Sequence, residues 1–279
     1  MNYAVEVKNL NFSYNTNTNK FLLKNINLTI QEGEFIGIAG ANGSGKSTFA
    51  KMLNALLLPT EGTVSIFGLD TKESKNLFAI RRQAGMVFQN PDNQTVATIV
   101  EDDVAFGVEN LAIARPEMIE RVNFALNAVG MQDFKNRSVA KLSGGQKQKI
   151  AIAGMLAILP KILILDEATA MLDPKGRKEI MQIAQKLNKE QGMTIIAITH
   201  FMDELLLADR AIVLHDGEIV LDGSPKEIFK NSARLQEYNL ALPPVAHIVQ
   251  CLQQNGIPFE QVFQEEAFVE EICKLLQQN

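Results

Sequence analysis

One stretch of sequence decides the fold: Gly40-Ala41-Asn42-Gly43-Ser44-Gly45-Lys46-Ser47. It follows residues 35–39, a short apolar run with the length of a buried strand. It precedes residues 47–57, in which apolar side chains recur at helical spacing. A strand, a glycine-rich loop and a helix in this order form the context that the P-loop pattern requires. The stretch therefore predicts a nucleotide-binding core of the α/β class.

Each residue type in this loop suits phosphate binding. Glycines let backbone N–H groups crowd around phosphate oxygens at a helix N-terminus. The Lys46 ammonium is expected to reach the outer phosphates, and the Ser47 hydroxyl to reach Mg²⁺. A phosphate-bearing nucleotide and Mg²⁺ are therefore the expected ligands. The nucleotide-binding residues expected here are Gly40, Ala41, Asn42, Gly43, Ser44, Gly45, Lys46, Ser47 and Thr48.

Two acidic residues follow a later apolar strand. Asp166 and Glu167 come directly after residues 162–165, and ligands of open α/β sheets gather at the carboxyl ends of strands. Both carboxylates are therefore expected at the nucleotide edge. Asp166 is placed to hold Mg²⁺, through water or Ser47, and Glu167 to orient and polarise the water that attacks the γ-phosphate.

A second phosphate-binding helix start is predicted at residues 142–146, Leu-Ser-Gly-Gly-Gln. Ser143 can cap the following helix while the N–H groups of Gly144 and Gly145 remain available to an anion. The motif, which ends at Gln146, resembles the LSGGQ signature of the ATP-binding cassette (ABC) family. In that family it binds the γ-phosphate of ATP held by the P-loop of a second subunit. The resemblance covers residues 5 to about 240.

The resemblance implies roles for four more residues. Tyr14 resembles the aromatic residue that stacks on adenine, and Gln89 the glutamine that senses the γ-phosphate and Mg²⁺. Asp173 resembles the aspartate that communicates across the dimer. His200 resembles the histidine that contacts the γ-phosphate, and it ends an apolar run at a strand's carboxyl end.

Three stretches resemble the ATPases of energy-coupling factor transporters, the vitamin and metal importers: residues 88–94, 104–110 and 173–177. Residues 166–173 are similar to the first of the two ATPase types in these modules. Ala170, where serine is more frequent, and Phe201, where aspartate is common, depart from the family pattern.

This resemblance implies an ATP-hydrolysing subunit at the cytoplasmic face of the cell membrane. Its expected partners are a second, related ATPase, a transmembrane coupling protein and small substrate-capture membrane proteins. The alternative is the ATPase of another ABC importer, such as a homodimeric cobalt or nickel uptake system. The transported substrate is not encoded in these motifs.

The predicted architecture has two parts. Residues 1–240 form an ABC-type domain: a P-loop core, an antiparallel β subdomain and a helical insert at about 90–157. Residues 241–279 form a small helical appendage with apolar stripes at 245–252 and 268–276. Two interpretations of the stripes remain open: they contribute to pairing with the second ATPase, or they cover this chain's own core.

Composition excludes several classes of protein. The net charge of −5 provides no global positive field for nucleic acid, so a nucleic-acid partner is not expected. The two cysteines, Cys251 and Cys273, lack a metal-ligand spacing and favour a reducing compartment. A DNA-repair or chromosome ATPase needs a long coiled coil between P-loop and signature, and a translation factor of this superfamily has two cassettes; neither pattern is present.

Overall fold

The computed structural model describes residues 3–15 and 20–277. The strands are β1 (Tyr3–Phe12), β2 (Leu23–Gln31), β3 (Phe35–Ala39), β4 (Glu61–Ile66), β5 (Leu69–Asp70), β6 (Ala84–Val87), β7 (Ile162–Asp166), β8 (Thr194–Ile198), β9 (Arg210–His215) and β10 (Glu218–Gly223). The helices are α1 (Lys46–Leu53), α2 (Leu77–Gln83), α3 (Val100–Glu109), α4 (Arg115–Ala128), α5 (Gly144–Ala157), α6 (Pro174–Gln191), α7 (Met202–Leu205), α8 (Pro225–Lys230), α9 (Ser232–Glu237), α10 (Pro244–Gln254) and α11 (Glu265–Gln277).

A six-stranded sheet of order β10-β9-β3-β8-β7-β6 forms the core. Strands β9, β3, β8, β7 and β6 are parallel, and β10 pairs antiparallel with β9 as a hairpin. Every residue of β3, β7 and β8 is buried, as expected of parallel strands covered on both faces. One face packs on α1 and the antiparallel layer, the other on α3 to α6. The predicted α/β core is confirmed.

A four-stranded antiparallel sheet of order β2-β1-β4-β5 forms the predicted β layer. Its inward residues, including Val5, Val7 and Leu28, share a hydrophobic cluster with Phe49 and Leu53 of α1. The P-loop helix is therefore held between the two sheets.

Helix α1 ends earlier than the sequence pattern predicts. It stops at Leu53, because Ala55 takes a left-handed backbone (φ 55°) and the N–H groups of Leu56 and Leu57 both donate to the Lys51 carbonyl. Leu56 is consequently exposed. Pro59, three residues after Leu56, disfavours helical backbone at the residue before it, so the helix does not resume and a loop follows.

The helical insert contains α3, α4 and α5, which pack together around Val104, Val122 and Leu126. Helices α3 and α4 are separated by a turn in which Ala112 adopts a φ of 53°.

The two C-terminal stripes pack on each other. Val245 and Val249 of α10 form one cluster with Phe259, against which Phe268 and Ile272 of α11 are packed. Ala246 of α10 joins a different cluster, which includes core residues of β9 and α7. The buried stripe residues therefore contact other residues of this chain.

Candidate active site

The carboxyl ends of four neighbouring strands bring the predicted residues together. Ile38 of β3 and Asp166 of β7 both pair with Ile198 of β8, and Val87 of β6 pairs with Leu165. Because these strands are parallel and in register, the segments that follow them leave the same edge of the sheet. Those segments contain the P-loop, Gln89, Glu167 and His200, and Asp166 is the last residue of β7.

The P-loop wraps around its own lysine. The Lys46 ammonium is almost fully buried and donates hydrogen bonds to the carbonyls of Gly40 (2.8 Å) and Ala41 (3.0 Å). A side chain at Gly40 would collide with the Leu214 carbonyl, so this position requires glycine. A Cβ at Gly43 would meet nothing within 4 Å, and the buried Ser44 hydroxyl has no hydrogen-bond partner among the described residues. The loop therefore fits a phosphate group, with a cation and a free hydroxyl beside open space.

Ser47 and Asp166 are in direct contact. The Ser47 hydroxyl donates a hydrogen bond to Asp166 Oδ1 at 2.8 Å, although the residues are 119 positions apart. Burial raises the pKa of the Asp166 carboxyl, and the hydrogen bond from Ser47 opposes that shift. The described residues contain no cluster of three His, Cys, Asp or Glu residues that could hold a metal ion. One carboxylate and one hydroxyl nevertheless suit Mg²⁺, which keeps several waters and takes few protein ligands.

Glu167 lies between a lysine and a histidine. Its Oε1 is 4.0 Å from Lys46 Nζ, and its Oε2 is 4.0 Å from His200 Nδ1. Burial lowers the pKa of Lys46, while the charges of Glu167 and Asp166 act in the opposite direction. Glu167 has a left-handed backbone (φ 51°), and its N–H donates to the Ile198 carbonyl. Backbone strain of this kind in a residue other than glycine is one of the features that cluster at functional sites.

The second predicted phosphate site has the expected helix start. Ser143 caps α5 by accepting a hydrogen bond from the Gln146 N–H, and the Gln146 side chain accepts one from the Ser143 N–H. This reciprocal capping box leaves Gly144 exposed at the helix N-terminus. The Ser143 hydroxyl thus has a structural contact in addition to the role predicted for it.

Comparison with known proteins identifies the family. The family described as ABC transporter matches residues 23–170. The energy-coupling factor transporter ATP-binding protein EcfA1 of Caldanaerobacter subterraneus subsp. tengcongensis is 51% identical over 277 residues, covering 98% of this chain and 100% of that protein. EcfA1 of Clostridioides difficile is 49% identical, covering 99% and 100%. The chain belongs to the ABC transporter family.

Solved ABC cassettes have the same fold. The structure of cbiO1 from Clostridium perfringens, part of the ABC transporter complex cbiONQ, aligns with a TM-score of 0.79 and 38% identity over 90% of this chain and 100% of that one. The cassette MJ0796, a dimer in a post-hydrolysis state bound to ADP and Pi, aligns with a TM-score of 0.71 and 35% identity over 79% and 98%. The resemblance to ABC ATPases, and to the energy-coupling factor type, is confirmed.

In this ABC ATPase, the residues assigned by resemblance alone occupy varied environments. Tyr14 is exposed, but its hydroxyl is 3.1 Å from the Thr48 hydroxyl of α1, which brings the ring next to the P-loop helix. Gln89 is exposed just beyond β6. Asp173 caps α6 by accepting a hydrogen bond from the Gly176 N–H at 3.0 Å. Each side chain can be reached by a ligand or a partner.

Sequence reasoning missed a buried carboxylate beside the site. Glu204 is buried and accepts hydrogen bonds from the hydroxyls of Thr199 (2.6 Å) and Thr169 (3.1 Å). Burial raises the pKa of Glu204, and these two hydrogen bonds oppose the shift. A glutamate by itself gives no sequence signal of burial, since charged residues are usually exposed.

Phe201, one of the two departures from the family pattern, contacts two side chains. Its ring centroid is 4.1 Å from that of His200, and the guanidinium carbon of Arg177 lies 3.7 Å from its centroid. Arg177 belongs to α6, close to Asp173. The Phe201 ring therefore packs between His200 and α6, the helix that follows Asp173.

Proposed function

We propose that this chain is the ATP-binding and hydrolysing subunit that energises an energy-coupling factor importer for vitamins or metal ions. The arrangement of Lys46, Glu167 and His200 at one sheet edge supports this most strongly, because it combines a phosphate-binding cation with a carboxylate and an imidazole. Full-length similarity to proteins named EcfA1 supports the choice of transporter class.

The proposed roles of the phosphate-binding residues follow from their chemistry. The P-loop N–H groups and Lys46 bind the phosphates, and Tyr14 stacks on the base. Ser47 and Asp166 hold Mg²⁺, with Gln89 as a further oxygen ligand. When bound, Mg²⁺ neutralises phosphate charge and so favours displacement at the γ-phosphate.

Glu167 orients a water molecule and accepts its proton. A carboxylate suits this role because it can accept a proton, and Glu167 lies 4.0 Å from the Lys46 ammonium. His200, on the other side of Glu167, donates a hydrogen bond to the γ-phosphate. In this way the two side chains divide proton transfer and charge stabilisation between them.

The LSGGQ segment serves a second ATPase subunit. The exposed N-terminus of α5, formed by Ser143, Gly144, Gly145 and Gln146, receives the γ-phosphate of the nucleotide on the partner's P-loop. Asp173, exposed at the start of α6, contacts the partner across the interface. The partner's equivalent residues complete this chain's own site.

The remaining partners are membrane proteins. No helix among residues 3–15 and 20–277 has both the length and the apolar character that a membrane span needs. The chain is proposed to dock peripherally, at the cytoplasmic face, on a transmembrane coupling protein that works with substrate-capture proteins. Residues 1–240 supply the ATP-binding domain and 241–279 the appendage; no nucleic-acid partner is proposed.

Purification of the tagged chain from its native membrane, with identification of the proteins that accompany it, tests this proposal. A second ABC ATPase together with integral membrane proteins is the expected result. Recovery of the chain without any integral membrane protein, under conditions where the complex is stable, would refute the transporter assignment.

The same experiment decides on a second candidate. The solved relative MJ0796 is a dimer of one cassette, which favours a homodimeric importer ATPase as the alternative. Recovery of membrane subunits with two copies of this chain, and no second ATPase, would support that candidate instead.

A further inference from the structure

Thr169, Thr199 and Glu204 form a buried polar cluster, which we call the threonine–glutamate cluster. Each residue is at most 5% exposed. The hydroxyls of Thr199 and Thr169 donate hydrogen bonds to the same carboxylate oxygen, Glu204 Oε2, at 2.6 and 3.1 Å. The Thr199 hydroxyl also accepts a hydrogen bond from the Phe201 N–H at 3.0 Å. One carboxylate therefore connects two loops that are separated in sequence.

The connected loops are those that present Glu167 and His200. Thr169 lies two residues after Glu167, in a turn closed by a hydrogen bond from the Ala170 N–H to the Glu167 carbonyl. Thr199 directly precedes His200 and Phe201 directly follows it. The hydrogen bonds from the Thr199 hydroxyl to Glu204 and from the Phe201 N–H to the Thr199 hydroxyl therefore hold the residues on both sides of the histidine. The backbone of Thr199 is held in turn by its N–H, which donates to the Ile38 carbonyl beside the P-loop.

Burying the Glu204 carboxylate at this position has an unfavourable free energy. Burying a charged or polar group destabilises a protein unless all its atoms find partners, and apolar residues of similar size often pack more stably. The other oxygen, Glu204 Oε1, is buried without a hydrogen-bond partner among the described residues. Packing alone would be served better by leucine, so stability does not account for the glutamate.

We infer that Glu204 is a positioning residue for hydrolysis: through the Thr169 and Thr199 hydroxyls it fixes the Glu167 and His200 loops relative to each other. A carboxylate that accepts two hydroxyl hydrogen bonds at once provides a rigid connection that an apolar side chain cannot. The inference rests on the proposed ATPase function and deepens it, since Glu204 itself does not contact the reacting groups.

Isosteric pairs of variants test the inference. Thr199→Val and Thr169→Val keep the shape of threonine and remove the hydroxyl, while Thr199→Ser and Thr169→Ser keep the hydroxyl. Glu204→Gln keeps an oxygen that accepts both hydrogen bonds, and Glu204→Leu removes it. Each variant is assembled with its partner ATPase and membrane subunits. The kcat and KM for ATP, ATP binding and the melting temperature are then measured.

We expect the valine and leucine variants to lose kcat by about 10- to 100-fold, the usual effect of misplacing catalytic groups, with KM and ATP binding near wild type. The serine and glutamine variants should recover most of that loss. If Glu204→Leu fails to fold, the threonine pairs decide alone.

Two results would overturn the inference. One is wild-type kcat in both valine variants, even with a lowered melting temperature, because the cluster would then only stabilise the fold. The other is an equal loss of kcat in the serine and valine variants. A wild-type complex that binds no ATP or does not hydrolyse it would overturn the proposed function, and the inference with it.

Discussion

Ser47, at the start of the P-loop helix, donates a hydrogen bond to Asp166, at the end of β7, at 2.8 Å. This contact joins the P-loop helix to the strand that Glu167 follows. Because both groups offer oxygen ligands, it also places the expected Mg²⁺ ligands beside each other before any nucleotide arrives. A site assembled in advance in this way needs little rearrangement on binding.

Asp166→Asn should separate ATP binding from Mg²⁺ binding. The asparagine oxygen can still accept the Ser47 hydrogen bond, but the negative charge that attracts Mg²⁺ is lost. ATP at 100 times its Kd should stabilise the wild-type chain by about 2.7 kcal/mol, measured as a rise in melting temperature. We expect Mg²⁺ to add to that rise in the wild type and in the control Asp70→Asn, which lies in the antiparallel sheet. If Mg²⁺ raised the melting temperature of Asp166→Asn as much as that of the wild type, Asp166 would not be a Mg²⁺ ligand.

Glu167→Gln should leave ATP binding intact and slow hydrolysis by about 10²- to 10⁴-fold, the usual contribution of a positioned general base. The amide keeps the size of the side chain but cannot accept the proton from water. ATP binding and single-turnover hydrolysis are measured in the assembled complex, with Glu218→Gln in the exposed hairpin as the control. Near wild-type turnover in Glu167→Gln would show that another group is the base.

Glu204→Gln should change the pH dependence of stability. Burial raises the pKa of Glu204, with Asp203 acting in the same direction and Arg177 in the opposite one. A raised carboxyl pKa means that the folded chain holds this proton more tightly than the unfolded chain does. The resulting stabilisation is present at low pH and is lost as the pH rises through the raised pKa.

The glutamine variant has no such group. Its melting temperature relative to wild type should therefore increase as the pH rises from below the ordinary glutamate range to above neutrality. The nucleotide-free chain is used, so that ligand binding does not contribute. If the melting temperature of Glu204→Gln minus that of the wild type stayed constant or decreased as the pH rose, the raised pKa of Glu204 would be contradicted.

Adjacent residues of α10 distinguish the two interpretations of the C-terminal stripes. Val249 is buried against α11, whereas Ile248 is 46% exposed. Val249→Ala removes two buried methyl groups and should destabilise the isolated chain by about 2 kcal/mol, measured by urea unfolding. Ile248→Ala should have little effect there. If instead Val249→Ala left the isolated chain unaffected and weakened only pairing with the second ATPase, the dimerisation interpretation would be supported.

The core of this fold, and the sheet edge at which the candidate residues meet, were predictable from sequence. Motifs that directly follow strands, such as the P-loop with Lys46 and the pair ending in Glu167, can be recognised because parallel strands bring their carboxyl ends to one edge of the sheet. The end of α1 was mispredicted, because the spacing of Leu56 and Leu57 continues a helical pattern that the left-handed Ala55 interrupts.

The supporting contacts were not predictable. The Glu204 cluster depends on where the short helix α7 packs, and the stack of Arg177 on Phe201 depends on the approach of α6 to the histidine loop. Neither has a local sequence signal, since both join residues through tertiary structure. The partners of the stripes in α10 and α11 were left open for the same reason.

The central claim is that ATP lies between this chain and a second ATPase, with the N-terminus of α5 against phosphate. A Cβ at Gly144 meets nothing within 4 Å, so Gly144→Ala fits this chain and should not destabilise it. Gly154→Ala, in the same helix, is the matched control, since its nearest neighbour is the Asp103 carbonyl at 4.0 Å.

The decisive measurement compares the ATPase rate of the assembled complex carrying either variant. We predict that Gly144→Ala lowers the rate about tenfold or more, because the methyl group obstructs close approach of the backbone to phosphate, while ATP still binds this chain's own P-loop. Gly154→Ala should hydrolyse ATP at the wild-type rate. Equal rates in the two variants, or loss of ATP binding at this chain's P-loop in Gly144→Ala, would contradict the shared site.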